Sequence, residues 1–155
     1  MQRFIILFII AQWIAISASG EIWLIDYEKA LRKAKEENRH VLVDFTGSDW
    51  CGWCIRLNKE VFSTKEFKEF ASGHLVCVKI DFPKKKKLPR EVAERNDRLQ
   101  RKFGVRGYPT VFVLEPDGTP LARTGYVKGG GEGYVNHLQN LIKNASNQTS
   151  SRTQH

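Results

Sequence analysis

Strand-forming runs alternating with helical segments, closed by a hairpin and a last helix, predict an α/β protein. The expected architecture is a three-layer α/β/α sandwich with a central mixed sheet and a C-terminal β-hairpin plus helix. Three observations carry this. Val41-Leu42-Val43-Asp44-Phe45 is a run of strand formers, followed after a short turn by residues with helical spacing. Leu75-Val76-Cys77-Val78 is apolar on both faces, as a central strand would be. Glu115-Pro116-Asp117-Gly118-Thr119 is a tight-turn sequence between two further runs and implies an antiparallel hairpin.

Taken in order, Asp26 is suited to cap a helix through Tyr27, Ala30, Leu31 and Ala34 to about Asn38. Val41 to Phe45 is the first strand, and Thr46-Gly47-Ser48-Asp49-Trp50 a turn. From Cys51 to about Phe70 the pattern is helical, with a break near Ser63-Thr64, where a second cap would start Lys65 to Ala71. His74 to Phe82 is a strand ended by Pro83. Leu88 to Phe103 is a charged helix stopped at Gly104. Thr110 to Leu114 and Leu121 to Gly125 form the hairpin, and Tyr134 to about Asn144 the closing helix, with Val135, Leu138, Leu141 and Ile142 on one face.

The two ends of the chain read differently from its middle. Residues 1–20 open Met1-Gln2-Arg3, run apolar from Phe4 to Ile16 with one polar interruption at Gln12 and finish with small residues at Ala18 and Gly20, the pattern of a secretory signal cleaved after Gly20. An uncleaved membrane anchor is the alternative, although the apolar run is shorter than the ~20 residues that span a bilayer. Either way the folded part, 21–144, is expected to be extracytoplasmic or periplasmic, where disulfides form and persist. Residues 145–155 are rich in Ser, Asn, Gln and Thr and are expected to be a disordered tail. The formal charge is +8, one unit of it from Arg3. The positive charges are spread along helices rather than set among stacking aromatics, which argues against nucleic-acid binding.

Chemistry is concentrated in Cys51-Gly52-Trp53-Cys54, two thiols at a helix start. Unpaired backbone N–H groups and the helix dipole favour a thiolate at the first turn, so Cys51 is the expected nucleophile. Cys54, one turn on, is the expected resolving thiol, which attacks Cys51 in a mixed disulfide and releases the substrate. A structural zinc site would need four ligands, and Cys77 with four scattered histidines does not supply the missing pair. Haem attachment would need a histidine where Ile55 stands. A purely structural bridge remains an alternative, though one closing so short a loop constrains little of the unfolded chain.

These residues, with Val43-Asp44-Phe45, Val105-Arg106-Gly107-Tyr108-Pro109-Thr110 and Gly125 ahead of the last helix, resemble the thioredoxin-fold family from about Ile25 to Lys143. Gly47-Ser48-Asp49-Trp50-Cys51-Gly52-Trp53-Cys54 behind a signal segment is most similar to bacterial periplasmic thioredoxin-like disulfide oxidoreductases, the small chlamydial one included. The resemblance implies a cis Pro109 opposite the cysteines and a backbone at Tyr108 that hydrogen-bonds an extended substrate. It also implies that Asp44 is a buried acid exchanging a proton with the resolving cysteine, which suits a carboxyl whose pKa is raised by desolvation. Trp50, Gly52, Trp53, Tyr108, Pro109 and Gly125 are the expected substrate-binding residues, with Trp50 and Trp53 as an exposed apolar platform or packed against the sheet.

Departures from the family pattern sharpen the expectation. The residues between the cysteines are Gly-Trp, not the Gly-Pro of thioredoxins or the Gly-His of protein disulfide isomerases. A tryptophan brings no positive charge to Cys51, which favours a reducing couple. The helix after the motif lacks the kink-forming proline of thioredoxins. Cys77 reads as a small core residue, and Lys84-Lys85-Lys86-Lys87 as a solvated loop or a docking patch for an acidic partner.

The function expected is an exported thiol-disulfide oxidoreductase that reduces or rearranges disulfides in other proteins. No cofactor or metal is called for. The expected partners are protein substrates with disulfides or thiols and a membrane-bound thiol electron donor, and the expected state is a monomer. Net disulfide donation is the alternative within enzymes; a binding or chaperone module working without turnover is the alternative outside them.

Overall fold

A computed structural model describes residues 22–152, with side chains to Asn147, so the signal segment expected over 1–20 lies outside the described residues. The element order is β1 (Trp23–Leu24), α1 (Tyr27–Glu37), β2 (His40–Thr46), α2 (Gly52–Leu57), a π turn (Asn58–Phe62), α3 (Lys65–His74), β3 (Leu75–Asp81), α4 (Arg90–Lys102), β4 (Thr110–Leu114), β5 (Pro120–Thr124) and α5 (Gly130–Arg152). The five-stranded sheet runs β1-β3-β2-β4-β5. β3 is parallel to β1 and β2, while β4 is antiparallel to β2 and β5, so the sheet is mixed as expected.

Strand alternation sorts the core into two layers, because successive side chains leave opposite faces of the sheet. Val41, Val43, Phe45, Val76, Val78 and Ile80 meet Tyr27, Ala30 and Ala34 of α1 and Leu99 of α4. Leu42, Cys77, Val111 and Val113 meet Leu57, Val61, Phe62 and Phe67 around α2 and α3, with Tyr134 and Leu138 of α5. Fully burying one such large side chain contributes about 1.5–3 kcal/mol. Cys77, between these packed residues at the centre of the sheet, is a core residue as expected, and burial pushes its thiol pKa up, out of the range of thiolate chemistry.

Caps written in the sequence fix the ends of the helices. Asp26 accepts the Lys29 N–H at 2.9 Å, and Asn38 closes α1 in the left-handed conformation. The break at Ser63-Thr64 is present, with Thr64 capping α3 through the Phe67 N–H. Before it the helix widens into the π turn at 58–62, so the disruption that a proline makes elsewhere is made here by one extra residue per turn. Gly104, at φ +61°, follows α4, and Gly118, at φ +90°, turns the hairpin.

Beyond shifts of one or two residues at β3, α4 and β5, the structure differs from the sequence reading at both ends of the fold, and α5 begins at Gly130 rather than Tyr134. β1 has only two residues, too few for a periodicity to register, and owes its place to parallel pairing of Trp23 with Cys77 and Leu24 with Val78. At the other end α5 does not stop at Asn144. It continues to Arg152, so the polar stretch read as a disordered tail is helical for its first part. No glycine or proline follows Gly133 to interrupt it, and Ser146 returns its hydroxyl to the Ile142 carbonyl at 3.0 Å. Among the described residues no helix is long and apolar enough to cross a membrane.

Candidate active site

The two cysteines sit where β2 gives way to α2. The Cys51 N–H donates to the Gly47 carbonyl at 2.9 Å, closing the intervening turn and setting Cys51 as the cap of α2. Its sulfur accepts the Cys54 N–H at 3.2 Å, the contact that lowers the energy of a thiolate once the pair is reduced. Cys51 and Cys54 are joined as a disulfide. Cys51 is 7% exposed and Cys54 3%, so the first residue of the pair is the more accessible, and the Gly47 N–H points at the Cys54 sulfur from 3.5 Å.

Behind Cys54 lies Asp44, on β2 beside Lys79 and Val111. The two share the wall of a cavity of about 110 Å³ that is also lined by Thr46, Ser48, Ile55, Asn58 and Lys79. Asp44 Oδ1 is buried with no hydrogen-bond partner among protein groups. Desolvation pushes the Asp44 carboxyl up to about 7, against the pull of the Lys79 ammonium. A cavity of this size with polar walls has room for water, through which a proton could pass between carboxyl and thiol.

Aromatic groups stand on both sides of the pair. Trp50, 38% exposed, donates its indole N–H to the Phe82 carbonyl at 2.7 Å and meets Tyr108 edge-on at 5.9 Å. Tyr108 in turn packs on Phe82 at 5.2 Å, which ties the motif turn, the end of β3 and the Tyr108-Pro109 loop together. The Tyr108-Pro109 bond is cis, as the resemblance implied. Gly125 is drawn to this loop: a Cβ there would lie 3.2 Å from the Pro109 carbonyl oxygen. Gly52 faces open space, and no close contact requires glycine there.

Trp53, 55% exposed, packs against Tyr126 at 5.2 Å. The Arg56 guanidinium lies over both rings, 5.3 Å from Trp53 and 5.2 Å from Tyr126, and bonds Glu60 at 2.7 Å; the Tyr126 hydroxyl donates to the other Glu60 oxygen. Of the platform expected from the sequence, Trp53 is therefore an exposed but braced face, while Trp50 is half packed.

Sequence reasoning missed how the turn is held from outside. The Asp49 carboxylate accepts the N–H groups of Lys84, Lys85 and Lys86 at 2.9, 2.8 and 3.1 Å, and these bonds, Lys84 first, hold its pKa below the usual carboxylate range. The Lys84 ammonium rests 3.9 Å above the Trp50 ring. Ser48 bonds Asp81 through both its N–H and its hydroxyl. These links span more than 30 positions and leave no local pattern; Arg56 and Glu60, four apart on a helix, were the one pair open to detection.

Comparison with known proteins agrees with this geometry. A model of the thioredoxin-like domain family matches residues 27–131. The disulfide bond reductase DsbH of Chlamydia pneumoniae is 38% identical over 128 residues, which cover 83% of this chain and 76% of that one. The thioredoxin-related protein DsbJ of the same organism is 34% identical over 104 residues, 67% of this chain but only 30% of DsbJ. A solved DsbH oxidoreductase, 36% identical, superposes with a TM-score of 0.75 over 86% of this chain and 92% of the other. A thioredoxin from Thermus thermophilus, 20% identical, shares the fold with a TM-score of 0.58 over 77% and 85%.

Proposed function

The chain belongs to the thioredoxin-like domain family and is a thiol-disulfide oxidoreductase, and from that premise we propose that it works outside the cytoplasm, reducing disulfides in other proteins. The observation that carries the reading is the pairing of Cys51, whose sulfur receives a helix-start N–H, with Cys54 backed by a buried carboxyl. In the reduced form the Cys51 thiolate attacks a substrate disulfide, forming a mixed disulfide and releasing one substrate thiolate. Asp44 takes the proton of Cys54, and the Cys54 thiolate attacks the Cys51 sulfur. The second substrate thiolate leaves, and the protein is left as the Cys51–Cys54 disulfide, two electrons having passed to the substrate.

The substrate backbone would lie along Tyr108, ahead of the cis Pro109, with Trp50 and Trp53 on either side of the sulfurs. Gly125 leaves room for the Pro109 carbonyl, and Gly52 keeps the surface beside Cys51 low. The reducing direction is supported by the name of the DsbH relative. It is supported too by charge: the cation stacked on Trp53 is paired with Glu60, so Cys51 gains no free positive neighbour from that side. A membrane-bound thiol donor would regenerate the dithiol, and the protein would act as a monomer, in solution once the segment 1–20 is removed.

Cys51→Ser should abolish reduction of insulin disulfides by dithiothreitol-recharged protein; unchanged turnover would remove the enzymatic reading. Thiol trapping in the native compartment tests the direction. A pair found mostly as the dithiol is expected, and one held mostly as the disulfide with a high reduction potential would make it a disulfide donor.

A further inference from the structure

The loop from Lys84 to Lys87 is held against the redox motif. Asp49, two residues before Cys51, gathers three consecutive backbone N–H groups of the loop, and Lys84 lies on the indole of Trp50, the residue next to Cys51. All four lysines are exposed. Among the described residues none of their ammonium groups is ion-paired with a carboxylate. Beside the loop is a cavity of about 420 Å³, walled by Phe82, Pro83, Lys84, Lys86, Lys87 and Leu88. Asp81 and Asp97 reach the same cavity, but Asp81 is engaged by Ser48.

Resting on the exchange reading above, we propose that this loop selects substrates, binding carboxylates that flank the cysteine of an acidic client protein. Four exposed lysines with no carboxylate partner among the described residues, on a backbone that Asp49 fixes at three positions, attract an anionic segment at little ordering cost. Their position decides the occupant. A client whose disulfide has reached Cys51 brings its flanking residues to Trp50 and hence to the loop, whereas an anionic membrane laid on the same lysines would cover the cysteines.

The test uses two disulfide-linked peptides, alike except for three Glu or three Gln beside the cystine, with the pre-reduced full chain and its Lys85→Gln/Lys86→Gln/Lys87→Gln variant. At low ionic strength the wild type should reduce the acidic peptide about tenfold faster in kcat/KM than the neutral one, as steering by a few charges gives. That preference should fall to within about twofold in the variant and in 0.5 M salt, where screening reaches a few ångströms, while the neutral peptide is reduced equally by both proteins. Equal rates for the two peptides in the wild type, or equal losses for both in the variant, would overturn the assignment. So would an acidic preference that survives in the variant while its binding to phosphatidylglycerol vesicles is lost. Failure of both proteins on the neutral peptide would instead remove the exchange reading itself, and the docking role with it.

Discussion

The Asp44 carboxyl and the Cys54 sulfur line one small cavity beneath the start of α2, with no other acid on its wall. A carboxyl poised at about 7, with its Oδ1 buried and without a hydrogen-bond partner, is costly to the fold and useful to a thiol that must lose a proton at neutral pH.

That cost sets a pH dependence. The folded-state pKa of about 7 lies above the ordinary carboxyl value of 3.8, so the native state holds this proton more tightly than the unfolded chain. The associated stability is complete below about pH 4, declines as pH rises and is gone above about pH 7, an upper limit of about 4 kcal/mol. Asp44→Asn should remove this slope. Urea unfolding should find the variant about 1–3 kcal/mol more stable than the wild type at pH 8 and much closer to it at pH 4.5. The same variant should accumulate mixed disulfide, since resolution loses its proton acceptor.

The cysteines should differ sharply in reactivity. In the reduced native protein, iodoacetamide is expected to modify Cys51 first, and Cys77, enclosed between sheet and helices, only on addition of denaturant. Peptide mapping by mass spectrometry checks the order. With Cys54→Ser, substrate should remain attached through Cys51 and be recovered as a mixed disulfide on a non-reducing gel.

Arg56→Ala removes the cation that covers Trp53 and Tyr126 and leaves Glu60 its bond from the Tyr126 hydroxyl alone. Substrate KM is expected to rise about threefold with kcat nearly unchanged, because the platform loses its brace and the sulfurs keep their chemistry. Fluorescence anisotropy of Trp53, in a background where the other tryptophans are replaced by phenylalanine, should fall.

Gly47→Ala tests the turn. The added Cβ would stand 2.5 Å from the Trp50 ring, forcing the indole off the Phe82 carbonyl and away from Lys84. A stability loss of about 1–3 kcal/mol in chemical denaturation is expected. Gly52→Ala, which meets open space, should cost well under that and serves as the control.

How far the sequence could be read follows from the range of each interaction. Val41 to Phe45, the Asp26 and Thr64 caps, Gly104 and the 115–119 turn are local, and each appears where its residues indicate. The cysteines were legible because they stand three apart in one motif at a helix start, and Asp44 and Tyr108-Pro109 because the resemblance supplied them. What escaped was long-range or too short to be periodic: the two-residue β1, the Asp49 bonds to 84–86, and the stack that joins Trp53 to Tyr126 across the chain. Composition misjudged α5 because a helix already packed through Tyr134 and Leu138 extends into a polar stretch that would not nucleate one alone.

The sheet's borders bear on the company such a protein keeps. One border is β1, only two residues long; the other is β5, which opens with Pro120 and is out of step with β4 near Val113 and Leu114. Neither offers a long row of free N–H and C=O groups. In the proposed function, where an extended substrate lies along Tyr108, such borders spare the protein from pairing edge to edge with its own substrate.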